Sequence, residues 1–267
     1  MPKNIKPSNN PPKDSLDREV DEMLERAKDK RFEPGIYNFC DRWCEKCPDT
    51  EKCFLYSNAT KRKAQNLING QDDESIEGVL AEVHHSFEVT GRLLERELAE
   101  QGLDVAQVLK EAEGRTEWDD NVDRRYNQVE CLKLAKSYLK RIHEFLNNFY
   151  NDKQKYHSNL GLEIDYSDIN EEIETINWYQ AMLPTKIWRY LYEKESLARE
   201  EDSELKEMMA RDLDKFYALV DKGINQSQSA WENLAKKRVE LKSDSQCFIE
   251  MLEKIKNEFK KLKNNLF

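Results

Sequence analysis

The sequence predicts an all-α protein, a long antiparallel helical bundle with a small N-terminal cysteine metal-binding segment, and three observations carry that reading. Glycine and proline together make up 15 of 267 residues, roughly half the ~12 % of an ordinary chain. That is too few for turn-dense sandwiches, barrels or doubly wound sheets. Apolar residues recur at spacings of three and four through most of the chain, the period of an amphipathic helix. Charged residues reach 36 % while aromatics hold 10 %, a combination that indicates a folded chain with a heavily charged exterior rather than a disordered one.

Taken in order, residues 1–14 carry four prolines and no apolar core and are expected to form a disordered tail. Residues 15–60 are expected to hold a helix capped by Ser15 and running to Arg31, then the cysteine segment from Tyr37 to Tyr56. The body, 61–267, follows. Ile76, Leu80, Val83, Phe87, Leu94 and Leu98 mark a helix that stops at Gly102. A short helix is expected from Asp104 to Ala112. Val122, Tyr126, Val129, Leu132, Ala135, Leu139, Ile142, Leu146 and Phe149 mark a helix from Asp120 to Tyr156, about 55 Å long. A loop over 159–167 precedes a helix through Ile169, Ile173, Ile176, Leu183, Ile187 and Leu191 that Pro184 should kink. Leu205, Met209, Leu213, Phe216, Val220 and Ile224 mark the next, where Gly223, Ser227 and Ala230 offer a small-residue stripe for close helix approach. Finally Phe248, Leu252, Ile255, Phe259, Leu262 and Leu266 alternate spacings of four and three, a narrow lysine-flanked seam suited to a protein partner, to self-association or to the chain's own acidic helices.

A formal charge of −10 disfavours indiscriminate nucleic-acid or acidic-membrane binding, which needs a basic surface. No run approaches the ~18 apolar residues of a membrane span and no secretory signal opens the chain, so a cytoplasmic location is expected. Phosphate-binding glycine loops, a G-x-S-x-G elbow and H-E-x-x-H are absent from the sequence, which removes the common nucleotide, hydrolase and zincin readings.

One motif carries chemistry. Cys40, Cys44, Cys47 and Cys53 lie within fourteen residues as C-x3-C-x2-C-x5-C. Thiolates are strong soft ligands, and a C-x2-C step lets two sulfurs reach one metal around a tight turn. The four satisfy one zinc ion or one [4Fe–4S] cluster equally. A single knuckle with two outlying cysteines favours iron–sulfur, while Tyr37, Phe39, Trp43, Phe54 and Tyr56 around the ligands would serve as a shell for a cluster or as the miniature core of a zinc module. Two local disulfides or four free thiols are the competing readings, and a reducing compartment weighs against the first. The expected function is metal binding in a structural, sensing or protein-interaction role. The alternative is an iron–sulfur enzyme or electron carrier with a pocket between the long helices.

Cys40-x3-Cys44-x2-Cys47 has the spacing of the radical-SAM triplet, but that family places an aromatic residue before its third cysteine, where Lys46 stands, and needs a β/α barrel. Cys44-x2-Cys47-Pro-x4-Cys53 resembles part of the iron–sulfur segment of AddB-type nucleases, a likeness of ten residues that implies a cluster and no nuclease. The longer run Cys40-Asp-Arg-Trp-Cys44-Glu-Lys-Cys47 resembles uncharacterised bacterial all-helical proteins with a Cys-Asp-Arg-Trp-Cys-Glu-x-Cys motif. That resemblance implies the helical fold and brings no activity with it.

Other candidates have bland counterparts. Glu82, His84, His85 and Glu88, with Glu130, Glu171 and Glu174, invite a carboxylate-bridged metal site, but Glu-x-x-His occurs once, from Glu82 to His85, where such sites use it on two helices, and 53 acidic residues make such spacing cheap. Trp178, Trp188, Trp231, Tyr179, Tyr190 and Tyr192 either line a pocket or fill a core. Cys131 and Cys247 read as small buried hydrophobes, and His143 and His157 as structural or exposed.

Overall fold

The computed structural model describes residues 14–70, 75–113, 122, 124–160 and 167–264, with side chains undescribed at 111–113 and 151–160. Every regular element among them is helical. The helices are α1 (Ser15–Ala27), α2 (Phe54–Ile68), α3 (Ile76–Glu100), α4 (Val105–Glu113), α5 (Glu130–Leu160), α6 (Asn170–Arg199), α7 (Ser203–Lys237) and α8 (Lys242–Asn264), with short 3-10 turns between them. The expected tail lies almost wholly outside the described residues. The chain divides into two compact units, one of residues 1–38 and 44–117, the other of residues 39–43 and 118–267.

In the second unit α5, α6, α7 and α8 form an antiparallel four-helix bundle. Short links at 200–202 and 238–241 force neighbours to run in opposite directions, and the ring contacts agree: Tyr190 of α6 meets Tyr217 of α7, and both meet Phe259 of α8. Further along the bundle, Trp231 of α7 stacks on Phe248 of α8 at 4.5 Å and donates its indole N–H to the Tyr138 hydroxyl of α5 at 3.0 Å. The α8 seam is consumed here. Phe248, Leu252, Ile255 and Phe259 are buried and Leu262 packs against them, so among the described residues this apolar face is covered within the helix's own bundle. Leu266 lies outside the described residues.

Where the small-residue stripe was expected to admit a close helix, α7 meets α6 at Gly223. A Cβ there would overlap the Met182 methyl and come within 3.2 Å of Leu183 and Tyr179. Gly223, Ser227 and Ala230 are all buried, the arrangement that lets two backbones approach.

Three boundaries depart from the sequence reading. Asp14, not Ser15, caps α1, accepting the Asp17 N–H at 2.7 Å, and the helix ends at Ala27. The helix expected from Asp120 is interrupted at 127–129: residues 124–126 are helical, the N–H groups of Gln128 and Val129 turn back to the Arg125 and Tyr126 carbonyls, and α5 begins at Glu130. This interruption keeps Tyr126 in the core, its hydroxyl donating to Glu195 of α6, and periodicity cannot register it because Tyr126 and Val129 remain three apart. The third is α2, Phe54–Ile68, most of which the sequence reading left unassigned; α6 is the single helix expected across Pro184, from Asn170 to Arg199.

The first unit is built differently. Only Val20 and Val89 are buried among its described residues, and α1 is tied to α2 and α3 by polar links. Arg96 reaches Asp17 at 2.8 Å and Asp21 at 2.7 Å, Arg62 reaches Glu82 at 2.6 Å, and Arg26 donates to Ser57 and Asn58.

Gly223→Val should therefore destabilise the bundle by about 1–3 kcal/mol through overpacking. Urea unfolding followed by far-ultraviolet circular dichroism measures it, and an unchanged midpoint would remove the close approach from this account.

Candidate functional site

The residues between the first two motif cysteines are the best-anchored part of the segment. Phe39–Trp43 belongs to the bundle unit. Asp41 presents one carboxylate oxygen to the Tyr179 hydroxyl at 2.9 Å and to the Lys222 ammonium at 2.7 Å. Its other oxygen accepts the Trp43 N–H at 3.2 Å, a local turn that Asp favours. Its backbone carbonyl accepts the Trp178 indole N–H at 2.9 Å. Arg42, between them, adopts φ +62°, a left-handed conformation costing roughly 1–2 kcal/mol in a residue with a Cβ. The turn this allows places Trp43 on the same helix as Asp41: its ring, 6 % exposed, stacks on Trp178 at 5.2 Å and meets Tyr179 edge-on at 6.0 Å. Phe39 adds an edge contact with Phe216 at 5.0 Å, with the Lys215 ammonium 4.5 Å over its ring.

Electrostatics follows from this packing. Burial by itself would raise the Asp41 pKa, yet the Lys222 ammonium, the Tyr179 hydroxyl and the Trp43 N–H outweigh it and hold the carboxyl below its usual 3.8. Burial and the facing carboxylate both push the Tyr179 hydroxyl up, which keeps it a donor. Lys186 is held below the usual lysine range, by burial first and then by Arg42 and Arg189, while Cys40 and Asp41 pull the other way. Cys40 thus sits in a neighbourhood that supplies cations.

Cys44, Cys47 and Cys53 belong to the first unit. Cys44 opens a 3-10 turn, and the Cys47 N–H returns to the Cys44 carbonyl at 3.2 Å, closing the C-x2-C step into the expected tight turn. Cys53 caps α2, its sulfur accepting the Tyr56 N–H at 3.4 Å. All four cysteines are half-buried and free of disulfides, which removes the disulfide reading from this structure. Among the described residues no three histidine, cysteine, aspartate or glutamate side chains gather as a metal-binding group. The donor set suits zinc or an iron–sulfur cluster in number, chemistry and the Cys44–Cys47 turn. The coordination sphere itself is not assembled.

The other candidates are paired or packed, apart from exposed His143 and from Cys247, which was expected to be buried and is half-buried. His85 pairs with Glu19 at 3.0 Å and His84 with Glu88 at 3.6 Å. His143 is exposed, and the side chain of His157 lies outside the described residues. Cys131 is buried against α8, which pushes its thiol up to about 12, and Cys247 lies half-buried 3.2 Å from the Arg141 guanidinium. Trp231, Tyr179 and Tyr190 are core, and Trp188 stacks on Tyr192. A cavity of about 790 Å³ lies in the first unit between α2 and α3, lined by Arg62, Glu82, His85 and Glu19. Those four side chains already pair with one another. Sequence reasoning took Asp41 and Phe39 only as part of the motif. Their partners lie roughly 140 to 180 residues away, beyond any local signal, and the sole hint was an acidic residue set beside an aromatic between ligands.

A carboxylate held below its usual pKa stabilises above that pKa, and the contribution disappears as pH falls through the lowered value. The Asp41 seat should be intact at neutral pH and should loosen only below about pH 4, the usual carboxylate being 3.8. Asp41→Asn should weaken the seat at neutral pH by about 1–3 kcal/mol and remove the acid step. Exchange of the Trp178 indole N–H, followed by NMR, reads both, and equal protection in the two proteins would contradict the seat.

No protein family model, curated protein or solved structure matches the chain.

Proposed function

We propose that this is a cytoplasmic metal-binding helical protein in which Cys40, Cys44, Cys47 and Cys53 hold one zinc ion or one [4Fe–4S] cluster, in a structural or sensing role exercised through protein partners. The observation that carries this reading is the use of the residues between Cys40 and Cys44. Asp41 and Trp43 are spent on anchoring, at 2.7–2.9 Å and with a buried ring stack, and the four half-buried cysteines around them form no disulfide. Four cysteines close in sequence, two of them joined by a fixed turn, are the donors a thiolate site requires, and ligands of this kind commonly assemble only on binding.

Thiolate coordination supplies either structural cross-linking by zinc or an electron-accepting cluster. The chain's contribution is a short set of donors, one of them next to Asp41, whose seat on α6 and α7 would report a change in the segment to the bundle. Lys186 brings positive charge towards Cys40, which suits an anionic thiolate centre. The alternative of an enzyme with a pocket among the long helices requires space that Trp231, Tyr138 and Phe248 fill.

Anaerobic purification followed by metal and sulfide analysis tests the proposal. The expected result is one zinc per chain in colourless protein, or iron and sulfide with a broad band near about 400 nm in brown protein, lost in either case in Cys44→Ser. Protein that binds neither, or Cys44→Ser with undiminished content, overturns it.

A further inference from the structure

One exposed surface of the first unit is not used by anything described above. On α3, Ile76, Leu80, Val83, Phe87 and Leu94 are exposed by 75, 62, 47, 73 and 57 % respectively. At about 100° per residue they fall within about 60° of one another round the helix, a contiguous apolar stripe rather than scattered surface residues. Glu77, Glu95 and Glu88, all exposed, follow at about 100–120° from Ile76 and form an acidic flank. Their contacts within α3 are long: Glu88 stands 3.6 and 3.8 Å from His84 and His85, and Glu95 3.4 Å from Arg92. Past the flank, Arg92 at about 160° holds α1 at Asp14 and Asp17, while Arg96 reaches Asp17 and Asp21. Asp14, which meets Arg92, therefore lies nearer the flank than Asp17, which meets both arginines.

We propose that the occupant of the stripe is the segment preceding Asp14 in the same chain, residues 1–13. Position, length, charge and spacing carry this. The segment joins the structure at the cap of α1, 3.4 Å from Arg92, on the side of α3 where the acidic flank begins. Four of its thirteen residues are proline, which favours the extended polyproline II form, and at about 3.1 Å per residue it spans about 40 Å. The distance from Arg92 to Ile76 along α3 is about 24 Å. The segment carries Lys3, Lys6 and Lys13 and no acidic residue, opposite in sign to the flank it must cross. A polyproline turn of three residues, about 9 Å, sets Lys3 in line with Lys6 on one edge and Pro2, Ile5 and Pro11 on the next. On α3 the seven-residue steps from Glu88 to Glu95 and from Leu80 to Phe87 measure about 10.5 Å. Lysines on the flank thus bring Pro2, Ile5 and Pro11 over the stripe. A segment with this little apolar surface builds no core of its own, but a chain already extended loses little freedom when it docks on an apolar surface. Docked there, it is a strap that any other occupant of the stripe must displace.

Zero-length carbodiimide cross-linking of the full chain, in a mixture of isotope-labelled and unlabelled protein and with peptide mapping, tests this. Lys3 and Lys6 should form amide bonds with Glu77, Glu88 or Glu95 within single chains, at a yield independent of protein concentration. Phe87→Ser and Leu80→Ser should each lower that yield by about threefold or more. Both positions are exposed, so circular dichroism should stay unchanged, and Ile5→Ser, outside every described helix, should produce the same fall. Val239→Ser, at a 78 % exposed position of the bundle unit, should leave the yield as it was. Absence of these links overturns the proposal, as does an even spread of links that takes in Glu25, 69 % exposed at the far end of α1. Links that join labelled to unlabelled chains overturn it too, since the occupant would then come from a second copy, and so do links that survive all three substitutions on the stripe and the segment.

Discussion

A carboxylate largely removed from water must find donors, and the way Asp41 finds them organises the packing around it in the bundle unit. Its partners, Tyr179 and Lys222, come from different helices of the bundle. They can converge on a single oxygen because α6 and α7 approach closely at Gly223, next in sequence to Lys222 and against the ring of Tyr179. The absence of one side chain therefore sets the helix spacing, the spacing sets the donor pair, and the donor pair fixes the chain between two cysteines. Hydrogen bonds involving an ionised group are stronger than neutral ones, and Trp43 stacked on Trp178 shields this one from water. The strained conformation at Arg42 is sustained by these contacts on both sides of it.

The two units show two ways of holding helices. In the bundle, large rings interlock across α5, α7 and α8, and the interior is mostly aliphatic and aromatic. In the first unit, arginines and carboxylates on α1, α2 and α3 do most of the joining, at partly exposed positions where each pair contributes little. A unit with so little buried apolar surface draws less stability from its own core. It is also the unit that leaves a continuous apolar stripe on α3.

Much of this was legible from spacing alone. The bundle helices, the close approach at Gly223 and the α3 stripe follow from residues three and four apart, since a helix face is a local property. The break before Glu130 escaped because it preserved that spacing, and the cap of α1 was misplaced by one residue because Asp14 and Ser15 both have capping side chains. The cysteine segment was conspicuous by composition. Its anchoring was not, because the link from Asp41 to Lys222 spans most of the chain and depends on how α6 and α7 pack. A contact of that kind has no periodicity to read, and the resemblance of the motif to other Cys-Asp-Arg-Trp-Cys sequences carried no partner for the aspartate.

The account rests on Asp41 and the bundle acting as one physical unit. A double-mutant cycle with Asp41→Asn and Tyr179→Phe, read by urea unfolding of the metal-free protein, measures that coupling directly. A favourable interaction of about 1 kcal/mol or more is predicted for a hydrogen bond to a charged group. Additive effects of the two substitutions, with no coupling between them, would contradict it.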